Sequence, residues 1–318
     1  MGSVMVRRLL ERGHRVCVFD NLSTGFRGFV PQKAVFFRGD LRHEPHVREF
    51  FKRYRVDAVM HFAASCLVGE SVANPLKYYE NNVSGSANLL HHMCRAKVKN
   101  LIISSTCATY GQPRQVPIVE TAPTCPANPY GISKLMVERM VETLALTGQV
   151  RYVSLRYFNA AGSDGLGGIG EKHDPETHLI PNIFKAINGL SRRLEIFGDD
   201  YPTPDGTCVR DYIHVEDLAR AHLLALEALT GGKVRNEVFN LGSEKGFSVL
   251  EIVRKAQEIT GREVPCKICP RRPGDPARLI ACAAKAKRVL GWRSLCGLDR
   301  ILTTAWAWEN FLARHRLD

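Results

Sequence analysis

The 318-residue sequence contains no apolar run approaching the ~18 residues that suggest a membrane span, so a helical membrane protein is excluded from the reading. It also lacks an uninterrupted apolar stretch near its start, where Arg7, Arg8, Glu11, Arg12, His14 and Arg15 intervene. No secretory signal is expected, and the expected location is cytoplasmic. Internal repeats and low-complexity linkers are missing. Hydrophobic residues make up 45% and charged residues 24%, a balance that argues against a disordered or fibrous chain.

Acidic residues are outnumbered, 32 against 44 Lys and Arg, for a formal charge of +12. The excess forms no stripe or tail, and no nucleic-acid-binding motif accompanies it, so no nucleic acid is expected as partner. The charge can help attract a small polyanion such as a nucleotide diphosphate, or be merely a soluble basic surface. The ten cysteines are scattered and sit mostly in apolar or strand-like contexts such as Cys17 and Cys107, which reads as buried free thiols, not a disulfide framework. Cys266 and Cys269 form one CxxC, but two further zinc ligands at a recognisable spacing do not follow. No metal is expected.

What is present is an alternation. Short β-branched runs at 15–20, 34–38, 57–62, 100–104 and 152–156 alternate with amphipathic helical stretches at 4–12, 75–95 and 130–147. Strands alternating with helices predict βαβ units and a parallel, doubly wound α/β sheet. After about Asn159 the rhythm loosens into Gly- and Pro-rich loops at 163–170 and 199–206, before a helix at 217–229 and a strand at 238–241 return to the first layer. The expected division is a Rossmann-type dinucleotide-binding domain over 1–162 and 207–245, with a smaller, discontinuous substrate-binding domain over 163–206 and 246–318.

In such a sheet the ligand lies beyond the carboxyl ends of the strands. Asp20, followed by Asn21, ends the first strand present, and a carboxylate there can bind both ribose hydroxyls of an adenosine, favouring NAD over its 2′-phosphorylated form. Gly2 lies eighteen residues earlier, near the separation of ~20 expected between a glycine loop and this acid. Either Asp20 or Asp40, after the next strand, could instead cap a helix. The strongest signal is Tyr130-Gly-Ile-Ser-Lys134. Residues four apart share a helix face, and a nearby ammonium lowers a phenol's pKa from ~10 by stabilising the phenolate, making a usable general base. The hydroxyl-rich run from Ser104 to Gly111 closes the preceding strand, where Thr106 can hydrogen-bond a substrate oxygen and help pass its proton to Tyr130.

These motifs resemble the UDP-glucose 4-epimerases of the extended short-chain dehydrogenase/reductase superfamily. The resemblance runs through Phe19-Asp-Asn-Leu-Ser23, Gly39-Asp-Leu41, His61-Phe-Ala-Ala64, Val68-Gly-Glu-Ser71, Tyr79-Glu-Asn-Asn-Val83, Arg156-Tyr-Phe-Asn159, Val209-Arg-Asp-Tyr-Ile-His-Val215, Asn240-Leu-Gly242 and Arg271-Arg-Pro-Gly-Asp275. It implies interconversion of UDP-glucose and UDP-galactose through a 4-keto intermediate on tightly held NAD. Tyr130 would take the proton of the sugar 4-hydroxyl and Lys134 would hold the nicotinamide ribose. The resemblance places Gly2, Asp20, Asn21, Asp40, Leu41, Phe62, Ala63 and Asn82 on NAD. It places Thr106, Asn159, Leu179, Ile180, Arg210, Arg272 and Asp275 on the UDP-sugar, arginine suiting a diphosphate because its planar fork donates two hydrogen bonds. Homodimerisation is implied through helices such as 75–95. Leu279 stands where some relatives carry a tyrosine beside the sugar, which implies room for N-acetylated sugars; a UDP-pentose is a further alternative.

One departure concerns the beginning. The family's opening strand and the first two glycines of its fingerprint are not found before Gly2, and in the order 3-2-1-4-5-6 that strand is central. Its two neighbours are expected to lack a shared partner. About four buried apolar side chains are forfeited, roughly 6–12 kcal/mol against a typical net stability of ~5–15 kcal/mol. The chain as written is expected to fold poorly or bind NAD weakly, and the natural protein to start upstream; the alternative is a degenerate relative that only binds nucleotide. Two rivals stand against this reading, one that shares the fold and one from another class. A 4,6-dehydratase would need an Asp-Glu pair where Cys107 and Ala108 follow Thr106, and a redox-sensing NAD binder would not need Tyr130 or Lys134.

Overall fold

The computed structural model describes residues 1–165, 167–272 and 274–315. Leu166 and Pro273, which belong to the expected loop at 163–170 and to the 271–275 motif, lie outside the described residues. Helix α1 (Gly2–Glu11) leads to β1 (Cys17–Asp20), β2 (Val35–Arg38), α2 (Glu44–Arg53) and β3 (Ala58–His61). Then come α3 (Val68–Ala73), α4 (Pro75–Tyr78), α5 (Gly85–Arg95), β4 (Asn100–Thr106), α6 (Pro129–Leu146), β5 (Arg151–Tyr157) and β6 (Asn159–Ala161). Helix α7 (Leu179–Ile187), β7 (Leu194–Phe197), β8 (Val209–His214), α8 (Val215–Thr230) and β9 (Asn236–Leu241) follow. The chain continues through β10 (Gly246–Ser248), α9 (Val249–Thr260), β11 (Cys266–Cys269), β12 (Arg278–Leu279), α10 (Ala284–Leu290) and α11 (Leu298–Arg314).

Strands β3, β4, β5 and β9 form a parallel sheet in that spatial order. Their continuous apolar runs reflect burial on both faces. Ile102, Val153, Leu155 and Phe239 pack under α8 and α10, whereas Leu101, Ile103 and Tyr152 pack on the opposite side with Leu89 and Met93 of α5 and Val137 and Val141 of α6. Helices on both faces make this the doubly wound arrangement that the alternation predicts. Strands β1 and β2 pair only with each other, also in parallel. Among the described residues no ladder joins β1 to β3, so the break in the sheet falls where the strand order places it.

The second region is built around β8, which pairs with β6, β10 and β12, and around the β7–β11 pair. Its core gathers Ile180 and Phe184 of α7, Ile196, Tyr212, Ile252 of α9 and Leu302 of α11. Two expectations need correction. The stretch 75–95 is not one regular helix: a π turn at Tyr79–Ser84 separates α4 from α5, and periodicity alone does not reveal a single inserted residue. The ten cysteines are all free, but only Cys107 is fully buried, while Cys66, Cys125 and Cys266 are exposed.

Candidate active site

The first turn of α6 is fixed by local chemistry. Asn128 caps it, its Oδ1 accepting from the Gly131 amide at 2.9 Å, and Pro129 occupies the first helical turn. Gly131 lets the helix press against the turn that follows β4, where a Cβ would stand 2.6 Å from the Ala108 carbonyl oxygen. Tyr130, Lys134 and Glu138 then follow at intervals of four along one buried face. Thr106, at the end of β4, lies close enough to Tyr130 for its side chain to act on the phenol, so the two expected partners are neighbours. Ser133 ties this turn down from behind: its hydroxyl donates to the Tyr130 carbonyl at 2.7 Å and accepts from Asn82 Nδ2 at 2.9 Å. Asn82 lies in the π turn and also joins the Ser65 amide and carbonyl. Its amide is thus committed to orienting α6 and the loop after β3.

Electrostatics at this face differ from the expectation in one respect. Burial pushes the Tyr130 phenol above its ordinary range, Cys66 adds to the effect, and Thr106 only partly opposes it. In the protein alone the phenol is therefore not brought towards neutrality, because the cost of desolvating a phenolate dominates. Lys134 itself is pushed down to about 8 by burial, against the opposing charges of Cys66 and Glu138. It is 4% exposed, and among the described residues its ammonium has no hydrogen bond or ion pair. Three donors held in such a place fit a ligand rich in hydroxyls.

The expected cofactor residues gather at the carboxyl ends of the parallel strands. Asp20 ends β1 and accepts from the Leu22 amide at 2.7 Å, with Gly25 so close that a Cβ there would lie 3.3 Å from Asp20 Oδ1. Asn21 Nδ2 donates to Asp40 Oδ2 at 3.0 Å, linking the ends of β1 and β2. Arg42 beside Asp40 holds its carboxyl well below the usual range. Leu41 packs against Gly85 at the start of α5. Phe62 and Ala63 follow β3, and the Phe62 ring lies beside Gly2 at the start of α1. This ring of strand ends fits a dinucleotide: a carboxylate for the ribose, a helix N-terminus, and the buried Lys134 at the far end.

On the other side, Asn159 on β6 stands in register with Tyr212 of β8, and Leu179 opens α7. Arg210 on β8 is 8% exposed; it donates to the Pro276 carbonyl at 2.8 Å and pairs with Asp275 at 3.4 Å. It is no surface ion pair, and its charge reaches the thiol of Cys107, which burial pushes up to about 12. The Arg272 guanidinium stacks 3.9 Å from the Phe197 ring centroid. Leu279 sits opposite Arg210 in the β12–β8 register and packs near Cys107 and Phe158.

Two neighbours of Tyr130 were not anticipated as site residues. Tyr157, at the end of β5, hydrogen-bonds Ser104, and Cys66 is close enough to influence Tyr130, Lys134 and Tyr157 electrostatically. Around them lie two buried histidines. His61 is lowered to about 3 by burial and by Lys134, and His222 to about 4 by burial. Both stay neutral in the fold, while in the unfolded chain they take up protons below ~6.5. Their contribution is complete above that pH and is lost as pH falls towards 3–4, by up to ~1.4 kcal/mol per unit for each. Urea midpoints measured from pH 7 to 4.5 should fall more steeply for the wild type than for His222→Gln; equal slopes would refute the assignment.

The pattern of the NAD dependent epimerase/dehydratase family matches residues 1–242. The UDP-glucose 4-epimerase of Lacticaseibacillus casei is 47% identical over 311 residues, covering 98% of this chain and 94% of the relative. The crystal structure of UDP-glucose 4-epimerase from Brucella ovis in complex with NAD superposes with a TM-score of 0.93 at 48% identity, over 96% of this chain and 94% of that one. The Stenotrophomonas maltophila UDP-glucose-4-epimerase with bound NAD and formylated UDP-arabinopyranose gives a TM-score of 0.94 at 41% identity, over 98% and 96% of the two chains.

Proposed function

This chain belongs to the NAD dependent epimerase/dehydratase family, and we propose that within it the chain is a UDP-glucose 4-epimerase, interconverting UDP-glucose and UDP-galactose with NAD as cofactor. The observation that carries this reading is Tyr130 with Thr106 as its neighbour, one turn before a buried Lys134 whose ammonium has no partner among the described residues. NAD, when bound, would supply the hydride acceptor for sugar C4 and the hydride donor for the return to the 4-keto sugar. Thr106 orients the 4-hydroxyl and Tyr130 accepts its proton, then gives it back. Lys134 donates to the nicotinamide ribose and stabilises the charge that Tyr130 acquires. Asp20 binds the adenosine ribose, with Asn21, Asp40, Leu41, Phe62 and Ala63 shaping that end and Gly2 opening α1 towards the diphosphate. Arg210, Arg272, Asp275, Asn159 and Leu179 hold the UDP-sugar. The division between these ends follows the domains 1–162 with 207–245, and 163–206 with 246–318.

The modest size of Leu279 favours a pocket that also takes N-acetylated sugars. The ten free thiols and a nucleotide-sugar substrate fit a cytoplasmic location. A homodimer completes the proposal. Helix α6 is apolar on its outer side as well as on its buried one: Met136 is 45% exposed, and Val83, Ile132, Leu135 and Met140 line an open groove beside it. Val68, Val72 and Leu76 extend the same exposed apolar character from α3 to α4. Sedimentation should give a dimer mass, reduced to monomer by Met136→Glu. Incubating purified protein and NAD with UDP-galactose should yield UDP-glucose. Retention of NAD with no conversion would replace the epimerase by a nucleotide-binding relative.

A further inference from the structure

Between β6 and α7 the chain carries Glu171, His173, Glu176 and His178, none of which the proposed chemistry uses. The ligand atoms of all four lie within 4.8 Å of one another. His173 Nδ1 stands 3.2 Å from a Glu171 oxygen and 3.6 Å from a Glu176 oxygen, and His178 Nδ1 stands 3.7 Å from the other Glu176 oxygen and closer still to Glu171. We propose that these four side chains form a binding site for one divalent transition ion of the zinc class.

The donor set is the first argument. Two imidazole nitrogens and two carboxylates are borderline ligands suited to zinc. Distance is the second. Ligands at ~2.1 Å around a tetrahedral ion are about 3.4 Å apart, close to three of the four nitrogen–oxygen separations. The third argument is independent of both: His173 Nδ1 is buried and makes no aligned hydrogen bond, although it faces two carboxylates. The Glu176 side chain is 3% exposed and that of Glu171 18%, with His173 at 28% and His178 at 47%, so the carboxylates lie inward and His178 closes the site from the solvent side.

The supports are in place as well. Trp308 Nε1 donates to the Glu171 carbonyl at 2.6 Å, and Glu176 Oε1 accepts from the Thr177 and His178 amides at 2.8 and 2.9 Å. His178 is the cap residue of α7, so one ligand is anchored to a helix. An ion here would lock the 171–178 segment onto α7 and α11. The trio of His214, Glu216 and Cys296 is a useful contrast. There both imidazole nitrogens are engaged, Nε2 with Thr304 at 3.0 Å and Nδ1 with the Glu216 amide at 3.1 Å, and the histidine has no nitrogen left to offer.

The test uses the full chain, stripped with a chelator and titrated with zinc sulfate, then with cobalt(II) as an optical probe. The expected result is saturable binding of one ion per chain, intense tetrahedral-type cobalt absorption, and a thermal midpoint raised by zinc. His173→Gln combined with His178→Gln should lose that binding. Binding that persists unchanged in this double variant would place the ion elsewhere and overturn the proposal. Should the double variant fail to fold, the wild type decides alone: no saturable zinc binding, or only weak octahedral-type cobalt absorption, would overturn it equally.

Discussion

Tyr130→Phe is expected to lower kcat for UDP-galactose conversion by about 10²–10⁴-fold, the usual contribution of a positioned general base, while NAD remains bound. The substitution removes one oxygen and keeps the ring, which meets Tyr78 edge-on at a centroid distance of 6.4 Å. The backbone around it is held by Asn128, Ser133 and Asn82, none of which depends on the phenol. Packing should therefore survive, and the loss should appear in kcat and not in stability. The same measurement on Lys134→Met separates the two roles, since that change removes a ribose contact and should weaken NAD retention as well. Near-wild-type turnover in Tyr130→Phe would remove Tyr130 as the proton acceptor.

The parts of this site that were legible in the sequence are those in which chemistry and spacing coincide. Tyr130 and Lys134 are four apart in a helical stretch, and Thr106 closes the strand before it, so their meeting follows from one helix and one strand end. The break between β1 and β3 was legible for a similar reason, because strand order fixes which neighbours share a partner. What was not legible is contact at long sequence separation. Nothing in the periodicity of residues 75–95 reveals that Asn82 sits in a π turn and reaches Ser133, 51 residues away. Cys66 and Tyr157 reach the site by loop and strand placement, which tertiary packing alone decides. The direction of the Tyr130 shift was misread because spacing reports the nearby charge but not the burial that opposes it. The 171–178 quartet was passed over because its ligands are not cysteines and its spacing matches no familiar zinc pattern.

The second large effect concerns Glu138, one further turn along the face that carries Tyr130 and Lys134. Its carboxylate accepts from Arg156 Nε at 3.0 Å and Nη2 at 2.5 Å, and from Ser154 Oγ at 2.8 Å, with both charged side chains at most 5% exposed. Burial alone would raise the Glu138 carboxyl, yet it lies below its ordinary value because Arg156 holds it ionised. Arg156 passes the connection on, donating to Tyr110 Oη at 3.0 Å, which donates to Asn240 Oδ1 at 2.7 Å. The network thus spans α6, β5 and β9. Glu138→Ala should cost about 3–5 kcal/mol, because it strands a buried guanidinium without its counter-charge. That is a large share of a typical ~5–15 kcal/mol, and urea unfolding should show a clear drop in midpoint. Replacing both partners, Glu138→Leu with Arg156→Met, should recover much of the loss, since burying two apolar groups avoids the desolvation that the lone arginine suffers. Because α6 presents Tyr130 two turns away, the single variant should also lower kcat more than it raises KM, while the apolar double variant should restore both. A single-variant loss below ~1 kcal/mol would show that the pair does not hold α6 on the sheet.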